Sequence, residues 1–578
     1  MNVRSFLKAS RPWLPGLPAL FFLAMFFAVP VAEILLNSFK TTGGQAGMEQ
    51  FARIAAEPVY AKVLTTTFLI SLITAVLCVV LAYPLAFLLS QIAAKQRGRW
   101  LVWLLIPFWT SYLVKTFAWI LLLSRTGVIQ SIASSLGSTE QTLALLPSLG
   151  GVLAGMVHAL VPLAVMSMLP IMQGINAQLS SAAQTLGAGR GTAFFTVFLP
   201  LSLPGAAAAG LLVFITSLGF FIVPALLGSP KETMIAQVVI SVILELFNMP
   251  FAGALSVMLL LATIAVFAFY DRLVGLSSIG GDEAKPRTGA GARRFMGLLV
   301  TLGRWADRLL PGAHRSLQRP ARPLLKTYST LIIVLLMLPV VVVVPISFTA
   351  SSFLSFPPQG FSLRWYETFM SSPVWQAAML RSVLVATTTA LLAVALGLGA
   401  AITLAKVGGR SGKAVFAFVV APLILPRIVI AVGLFYLFAR LGLTGTNVGL
   451  VLGHTVLGIP YVVVTLAAAL KRYDWRLDDA ANVMGAGSLA RVRTVMLPVI
   501  FPSIASAFLF AFLTSFDELT IAIFVSGGLS TTLPKQMWDD MLLQVNPTLA
   551  AVSTTLLVVI SLIVLALTSV RRDHPDNA

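Results

Sequence analysis

Residues 181–200 read SAAQTLGAGRGTAFFTVFLP, and residues 479–498 read DAANVMGAGSLARVRTVMLP. The two stretches share an Ala-Ala pair, a glycine four residues after it and a final Leu-Pro pair, and each shared position recurs after 298 residues. Each stretch is polar and rich in alanine, and each lies between long apolar segments. The chain therefore contains a tandem duplication of a membrane unit, and each copy presents one such loop.

The composition indicates an integral membrane protein. Hydrophobic residues make up 58% of the 578 residues and charged residues only 10%, against about a quarter charged in soluble domains. Apolar runs of about twenty residues recur along the chain, which is typical of transmembrane helices. We expect an all-α membrane protein of about twelve transmembrane helices in two parallel six-helix repeats. The expected spans are 14–36, 64–91, 101–123, 144–172, 203–228, 251–270, 327–348, 380–405, 414–439, 447–470, 499–526 and 549–570.

The net charge of +19 follows membrane topology and does not indicate a nucleic-acid partner. If both termini are cytoplasmic, the inner segments hold 28 of the 39 Lys and Arg residues, as the positive-inside rule requires. The first apolar segment is too long for a signal peptide and lacks a clear cleavage site. The only cysteine, Cys78, lies in the second span, which excludes a disulfide or a cysteine metal site within the chain.

The duplication divides the chain into residues 1–270, a basic cytoplasmic linker at 271–326, and residues 327–578. Each repeat contains an even number of spans, so the two repeats share one orientation and suit a path between them. The linker predicts an amphipathic helix near 293–310. We interpret it as a tether whose basic residues meet membrane lipid headgroups, with a partner-docking segment as the alternative.

Each repeated loop predicts a short cytoplasmic helix, a glycine turn and the entry into the fifth span. Alanines favour the helix, the glycine suits its end, and Pro200 and Pro498 suit the start of the next helix. Small side chains let such a helix enter a groove of another protein, and two copies in register favour docking over an ordinary loop helix. The candidate coupling residues are Ser181, Ala182, Ala183, Gly187, Asp479, Ala480, Ala481 and Gly485.

This pattern resembles the Glu-Ala-Ala loop of permease subunits of ATP-binding-cassette (ABC) importers, although Ser181 replaces the acid and Asp479 shortens it. The resemblance implies the type I importer permease fold in a bacterial inner membrane. It also implies two kinds of partner, namely nucleotide-binding ATPase subunits, expected as a homodimer, and an extracytoplasmic solute-binding protein. ATP and magnesium then belong to the ATPase, so we expect a chain that binds no cofactor or metal directly and is not an enzyme.

The chain is also similar to the paired spermidine/putrescine-type permeases. The similarity is carried by Pro107–Ser111 in the first half and by His454–Pro460, Leu470–Asp474 and Ser515–Glu518 in the second. That group also includes importers of ferric iron and phosphonates, which remain alternatives. An ion-gradient-driven secondary transporter of six plus six helices is the alternative of another class, and the paired loops favour the ABC importer.

The sequence contains no phosphate-binding loop of the Gly-x4-Gly-Lys-Ser/Thr type. The most similar stretch is Gly412-Lys413, but Val407 occupies the first glycine position and Ala414 follows the lysine. We therefore expect ATP hydrolysis in another chain.

Charged residues inside spans are costly and indicate functional sites. Thr514, Asp517, Glu518 and Ile521 would share one face of a continuous fifth helix. The acids could bind a substrate ammonium, could pair internally, as Asp517 with Arg427, or could face the outer mouth. The candidate path residues are Lys115, Arg427, Thr514, Asp517 and Glu518. Because the acids suit an ammonium group, we expect an amine-bearing solute, with polyamines first. Arg427 suits a carboxylate, so zwitterionic amines come next.

Overall fold

The protein is almost entirely α-helical over the residues that the structure describes. The structure is a computed structural model. It describes residues 12–41, 43–135, 145–274, 290–309, 321–527 and 530–570. Within those ranges the β-type pairing is limited to three isolated bridges, such as that of Lys40 with Ala46. The expected all-α fold class is confirmed, while both termini and much of the 271–326 linker lie outside the described residues.

The helices follow the two repeats and the linker between them. The first repeat contains α1 (Leu17–Leu23), α2 (Val29–Ser38), α3 (Glu49–Ala56), α4 (Pro58–Gln91), α5 (Ala94–Trp109), α6 (Tyr112–Leu123), α7 (Val128–Ser135), α8 (Leu149–Gly174), α9 (Ala177–Thr185), α10 (Arg190–Ala193), α11 (Leu199–Leu218), α12 (Ile222–Leu227), α13 (Ile235–Leu244) and α14 (Met249–Val274). The linker contains α15 (Ala290–Leu309). The second repeat contains α16 (Ala321–Ser347), α17 (Arg364–Ser371), α18 (Pro373–Lys406), α19 (Gly409–Ile424), α20 (Arg427–Leu441), α21 (Asn447–Arg472), α22 (Arg476–Val483), α23 (Ser488–Arg491), α24 (Leu497–Phe516), α25 (Thr520–Val525), α26 (Leu533–Leu543) and α27 (Pro547–Val570).

Helix lengths repeat between the two halves. α4 and α18 each contain 34 residues, and α5 and α19 each contain 16. α8 and α21 each contain 26 residues, and α11 and α24 each contain 20. A π-helical turn of five residues precedes α11 at Phe194–Phe198 and α24 at Val492–Met496. These four helix pairs and the two π turns support the tandem duplication.

Equivalent residues also cap the fourth span of each repeat. Ser148 accepts a hydrogen bond from Gly151 N at 3.1 Å before α8, and Thr446 accepts one from Gly449 N at 3.0 Å before α21. Ser and Thr are favoured N-caps because their hydroxyl groups accept from N–H groups that lack a helical partner. The duplication therefore extends to the signals that start a helix.

The apolar helices are long enough to cross a membrane at most of the expected positions. Ten helical runs within the described ranges pass by length and composition, and an eleventh is added if α19 and α20, which meet at 96°, form one span. α13 is a shorter apolar helix, and so is the Pro547–Leu562 part of α27. Each of the twelve expected spans corresponds to an apolar helix or to a helix pair.

The third span of each repeat is a helix pair, although the sequence predicts single helices over 101–123 and 414–439. Ser111 separates α5 from α6 and caps α6 by accepting a backbone N–H at 3.3 Å. In the second repeat, Leu425 separates α19 from α20 and has an extended conformation, with φ −76° and ψ 141°. Leu425 precedes Pro426, and a residue before proline is disfavoured in the helical region, which explains this break.

The fifth span also differs from the prediction. Pro200 and Pro498 take the second position of α11 and α24, as predicted, but helical structure already begins upstream, at Arg190 and Ser488. Proline removes one backbone donor, and the π turn before each proline is a known way to adjust the hydrogen-bond ladder. Both runs stop before the end of the predicted span, and the short helices α12 and α25 follow.

The chain forms two compact units that combine segments from both halves of the sequence. The first unit contains residues 1–61, 235–261 and 363–549. The second unit contains residues 62–234, 262–362 and 550–578. The predicted division into residues 1–270, 271–326 and 327–578 describes the duplication in the sequence, not these compact units, and it stays a prediction.

Small residues bring helices of each unit into close contact. In the first unit, a Cβ at Gly433 of α20 would lie 2.9 Å from the carbonyl oxygen of Pro30 on α2. In the second unit, a Cβ at Gly155 of α8 would lie 2.8 Å from a methyl carbon of Val223 on α12. Because lipid is as apolar as the side chains, membrane helices associate through such close packing.

Candidate functional site

The first repeated loop forms a short helix that ends at a left-handed glycine. α9 carries Ser181, Ala182 and Ala183. Beyond its end, the N–H of Ala188 donates to the Ala183 carbonyl at 3.0 Å, and Gly187 has φ +93°. Glycine adopts this conformation without the clash that a Cβ would cause, and it therefore ends helices in this way.

The second loop has the same local structure. α22 carries Asp479, Ala480 and Ala481, the N–H of Ala486 donates to the Ala481 carbonyl at 2.9 Å, and Gly485 has φ +88°. Asp479 and Ala480 are exposed, whereas Ala481 is buried within the chain. The predicted helix and its end at the glycine are confirmed in both loops.

Large apolar side chains are exposed at both loops. Leu186 is 89% exposed just before the glycine of the first loop, and Met484 is 81% exposed at the equivalent place in the second. Val483 and Leu489 are also exposed in the second loop. Clusters of exposed apolar surface mark sites of protein interaction. These residues were not predicted from the sequence, although an apolar residue directly before the glycine in both copies was an available signal.

The linker helix α15 holds the segment that follows the first loop. The Asp307 carboxylate accepts hydrogen bonds from Gly191 N at 2.6 Å, from Thr192 N at 3.1 Å and from Thr192 Oγ1 at 2.7 Å. These N–H groups begin the helical run toward α11 and have no helical partner of their own, so the carboxylate acts as a cap. A negative charge is also favourable at this end of a helix.

Small residues allow α15 to lie directly on this backbone. A Cβ at Gly303 would lie 2.6 Å from the Cα of Thr192, and a Cβ at Gly191 would lie 2.8 Å from the Cβ of Ala306. The amphipathic helix predicted near 293–310 is confirmed as α15. Its contact with the first loop segment was not predicted, because the bonded residues are more than 100 positions apart. We call this contact the linker clasp.

Aromatic contacts support the second loop. The Tyr473 hydroxyl donates to the Asp478 carboxylate at 2.8 Å, and its ring meets Trp475 edge to face. Burial and the Asp478 hydrogen bond raise the pKa of Tyr473 to about 12, so this hydroxyl stays a donor at neutral pH. Lys406, the last residue of α18, lies 5.6 Å from the Trp475 ring centroid. The second loop is thus joined to the end of α18, which is the second span of the second repeat.

The acidic residues of the fifth span lie at a helix break. Thr514 lies on α24, Asp517 is the first residue after that helix, and Glu518 follows. The prediction of one continuous helical face is therefore wrong. The Glu518 carboxyl group accepts hydrogen bonds from Ile521 N at 2.8 Å and Ala522 N at 3.3 Å, which starts α25 in place of continuing α24.

Glu518 belongs to a buried polar cluster with His454 and Ser515. His454 and Glu518 are each 1% exposed, and Ser515 is 5% exposed. His454 Nδ1 lies 2.8 Å from Ser515 Oγ, and His454 Nε2 lies 3.6 Å from Glu518 Oε2. These side chains come from α21, from α24 and from the break after α24. The cluster therefore connects the fourth span with the interrupted fifth span, and we call it the polar cluster.

Four of the five candidate path residues belong to one compact unit. Arg427 is the first residue of α20, is half-buried, and lies close enough to Glu518 for electrostatic attraction. Lys115 lies on α6 in the other unit, where its ammonium group donates to Pro107 O at 3.3 Å and lies 4.3 Å from the Tyr112 ring centroid. The residues of the first unit are Arg427, Thr514, Asp517 and Glu518.

Comparisons with known proteins agree with this architecture. The family described as "Binding-protein-dependent transport system inner membrane component" matches residues 393–572. The spermidine/putrescine transport system permease protein PotB of Haemophilus influenzae is 30% identical over 255 residues, which cover 89% of that protein and 43% of this chain. The permease protein PotC of the same kind of system in Escherichia coli K12 is 29% identical over 246 residues, which cover 93% of that protein and 43% of this chain.

Among solved structures, a bacterial ABC transporter involved in the import of the acidic polysaccharide alginate is similar. It is 19% identical with a TM-score of 0.40, and the match covers 47% of this chain and 98% of that chain. Each of the two sequence relatives corresponds to somewhat less than half of this chain, as a duplicated permease requires. Because the Haemophilus influenzae permease is 30% identical to this chain over nearly its whole length, the chain belongs to the family of binding-protein-dependent transport system inner membrane components, as a fused permease.

Proposed function

We propose that the chain supplies both membrane halves of an ATP-driven importer in a bacterial inner membrane, with both termini in the cytoplasm. Separate nucleotide-binding subunits, acting as a homodimer, bind and hydrolyse ATP with magnesium, and an extracytoplasmic binding protein delivers the solute. The chain itself performs no covalent chemistry. The observation that supports this best is the pair of loops whose helices end with the same hydrogen bonds at Gly187 and Gly485.

The two loops would dock on the nucleotide-binding subunits. Leu186 and Met484 expose apolar surface beside the turn, and burial of such side chains stabilises an interface by about 1.5–3 kcal/mol each. The left-handed glycines fix the direction in which each loop helix projects. The proposed coupling residues are Ser181, Ala182, Ala183, Gly187, Asp479, Ala480, Ala481 and Gly485, with Ala481 supporting the loop from inside the chain.

Each loop continues directly into a long helix, which would transmit movement into the membrane. In the second repeat the helical run Ser488–Phe516 contains 29 residues, or about 43 Å at 1.5 Å per residue. It begins beside the loop and ends at Asp517 and Glu518. A displacement of the loop by an ATP-driven partner would therefore reach the polar cluster at the far end of the same helix.

The solute is proposed to bear an amine, with polyamines as the leading class. The two matched permeases are named for spermidine and putrescine transport. Asp517 and Glu518 place acidic groups at the break of the fifth span, where a carboxylate can form a charge-assisted hydrogen bond with an ammonium group. Arg427 nearby suits a carboxylate on a zwitterionic amine. Lys115, whose ammonium group donates to Pro107 O at 3.3 Å, stays a candidate path residue together with Arg427, Thr514, Asp517 and Glu518.

A reconstitution experiment tests this function. The full chain is purified, placed in liposomes with its nucleotide-binding subunit and binding protein, and assayed for ATP hydrolysis and for uptake of labelled spermidine. We expect no hydrolysis by the chain alone and ATP-dependent uptake by the complete system. Hydrolysis by the pure chain, or uptake that ignores ATP but collapses with an ion gradient, would overturn the proposal.

A double-mutant cycle tests the amine site. Asp517→Asn should lower uptake about tenfold or more, because a hydrogen bond to a charged group contributes about 1.5–3 kcal/mol. If Arg427→Gln restores much of this loss, the two residues pair with each other, whereas additive losses indicate that each contacts solute. Glu367→Gln, at an exposed position on α17, is the control for loss of a carboxylate. Wild-type uptake by Asp517→Asn would exclude this residue from the site.

A further inference from the structure

The second compact unit contains an elongated groove that the transport function does not use. The groove has a volume of about 880 Å³ and lies between the end of α4, the helix α5 and the helix α16. Its lining residues are Leu88, Ile92, Gln96, Arg99, Trp100, Trp103, Lys326, Thr330, Ile333, Val334, Met337, Leu338, Val341 and Val342. All of them belong to the same unit.

The groove is apolar along most of its length. The α5 residues recur at intervals of three and four positions, and the α16 residues do the same from Lys326 to Val342, so each helix contributes one face. Trp103, Val334 and Val341 are each more than half exposed. The stretch from Lys326 to Val342 rises about 24 Å, which is most of the hydrocarbon thickness of about 30 Å.

Positive charge is confined to one end of the groove. Arg99 lies in the second turn of α5 and Lys326 lies in the second turn of α16, and both side chains are exposed. Within the described part of the chain, neither residue forms an ion pair. Gln96 and Thr330 add polar groups near the same end. By the positive-inside rule this end lies at the cytoplasmic membrane surface, where anionic headgroups are found.

We propose that this groove binds an anionic phospholipid from the cytoplasmic leaflet. The phosphodiester headgroup lies between Arg99 and Lys326, and an acyl chain follows the apolar face of α16 toward Val342. Charge complementarity supports this occupant, since basic pockets between transmembrane helices on the cytoplasmic side bind such headgroups. Trp100 and Trp103 are suited to the interfacial region, where one edge of the ring is apolar and the other polar.

Fluorescence quenching by brominated lipid tests the site. The full chain in detergent is titrated with phosphatidylglycerol that carries bromine on its acyl chains, and with the matching phosphatidylcholine. We expect tighter binding of the anionic lipid, and a smaller quenching amplitude in Trp103→Phe. The variant that combines Arg99→Gln with Lys326→Gln should bind phosphatidylglycerol about tenfold more weakly, given that each basic residue near the surface strengthens binding severalfold.

A matched control separates this site from general surface charge. Lys95→Gln combined with Lys413→Gln also removes two exposed positive charges, but from residues outside the groove. We expect this control to retain wild-type affinity. Equal affinity for the two lipids, or an equal loss in both double variants, would overturn the proposal. Competition by glycerophosphoglycerol, the headgroup without acyl chains, at lipid-like concentrations would also overturn it, because the apolar groove would then contribute nothing.

Discussion

The linker clasp should control the mobility of the segment that follows the first loop. Asp307→Ala removes the three hydrogen bonds that the carboxylate accepts from Gly191 and Thr192. The N–H groups of Gly191 and Thr192 then lose the carboxylate that caps them at the start of the helical run. We expect α15 to separate more often from this segment while the membrane helices remain intact.

The magnitude can be worked out from the geometry. Three hydrogen bonds to a charged group would total about 5–9 kcal/mol if each contributed its full 1.5–3 kcal/mol. Asp307 is only half-buried, and its bonds share one carboxylate, so solvent compensates for much of this. Loss of a helix N-cap typically costs about 0.5–2 kcal/mol. We therefore expect about 1–2 kcal/mol, which is a five- to thirtyfold rise in the open population.

Hydrogen–deuterium exchange measures this population directly. In the fast-closing limit, the exchange rate of a protected amide follows the equilibrium population of the open form. The Gly191 and Thr192 amides in Asp307→Ala should exchange about five to thirty times faster than in the wild type. The purified full chain in lipid is suitable, because peptides covering residues 189–198 report on this segment without changes to the partner subunits.

Two control variants make the outcome decisive. Arg308→Ala changes an exposed neighbour on α15 and should leave exchange unchanged. Gly303→Val should release the clasp by a different route, because its Cβ would lie 2.6 Å from the Thr192 Cα. Unchanged exchange in Asp307→Ala, or an equal change in Arg308→Ala, would refute the capping argument.

Leu186→Ser combined with Met484→Ser should weaken co-purification with the nucleotide-binding subunit at least about tenfold, because a buried apolar side chain contributes about 1.5–3 kcal/mol; undiminished co-purification would mean that the loop tips are not the docking surface. Gly485→Ala should lower the unfolding temperature, because a residue with a Cβ at a φ of +88° is strained by about 1–2 kcal/mol. Gly487→Ala, with φ −65° and open space, is its control, and equal unfolding temperatures would contradict this reasoning. Glu518→Gln keeps an acceptor for the α25 cap but removes the acidic group, so amine uptake should fall about tenfold with normal membrane insertion; wild-type uptake would show that Glu518 does not contact the solute.

The apolar architecture could be predicted because hydropathy and duplication are strong signals. The positions of the spans and the two loops with their glycine ends follow from sequence alone. The break at 517–519 could not be predicted in the same way, because hydropathy averages over a window and a few polar residues barely change it. Glu518 decides the local structure through its hydrogen bonds to backbone N–H groups, and that choice depends on geometry.

The linker clasp could not be predicted for a different reason. The Asp307 contact joins residues more than 100 positions apart, and helical periodicity only relates residues within a few turns. The polar cluster joins His454 to Ser515 across two helices, which the sequence shows only as two separate polar residues in apolar runs. In both cases, the sequence identifies residues with unusual chemistry, and the tertiary fold determines their partners.

The exchange of segments between the two halves has a consequence for biosynthesis. His158 on α8 donates its Nε2 hydrogen to the carbonyl of Leu336 on α16 at 2.8 Å, and the two residues are 178 positions apart. At about 5–20 residues per second, the ribosome needs roughly 10–35 s to produce this partner after His158 has been made. Until then the second unit lacks α16, and the His158 imidazole lacks this acceptor. A chain cut in the linker would therefore yield two fragments that each await the other, and transport would recover only when both are inserted into the same membrane.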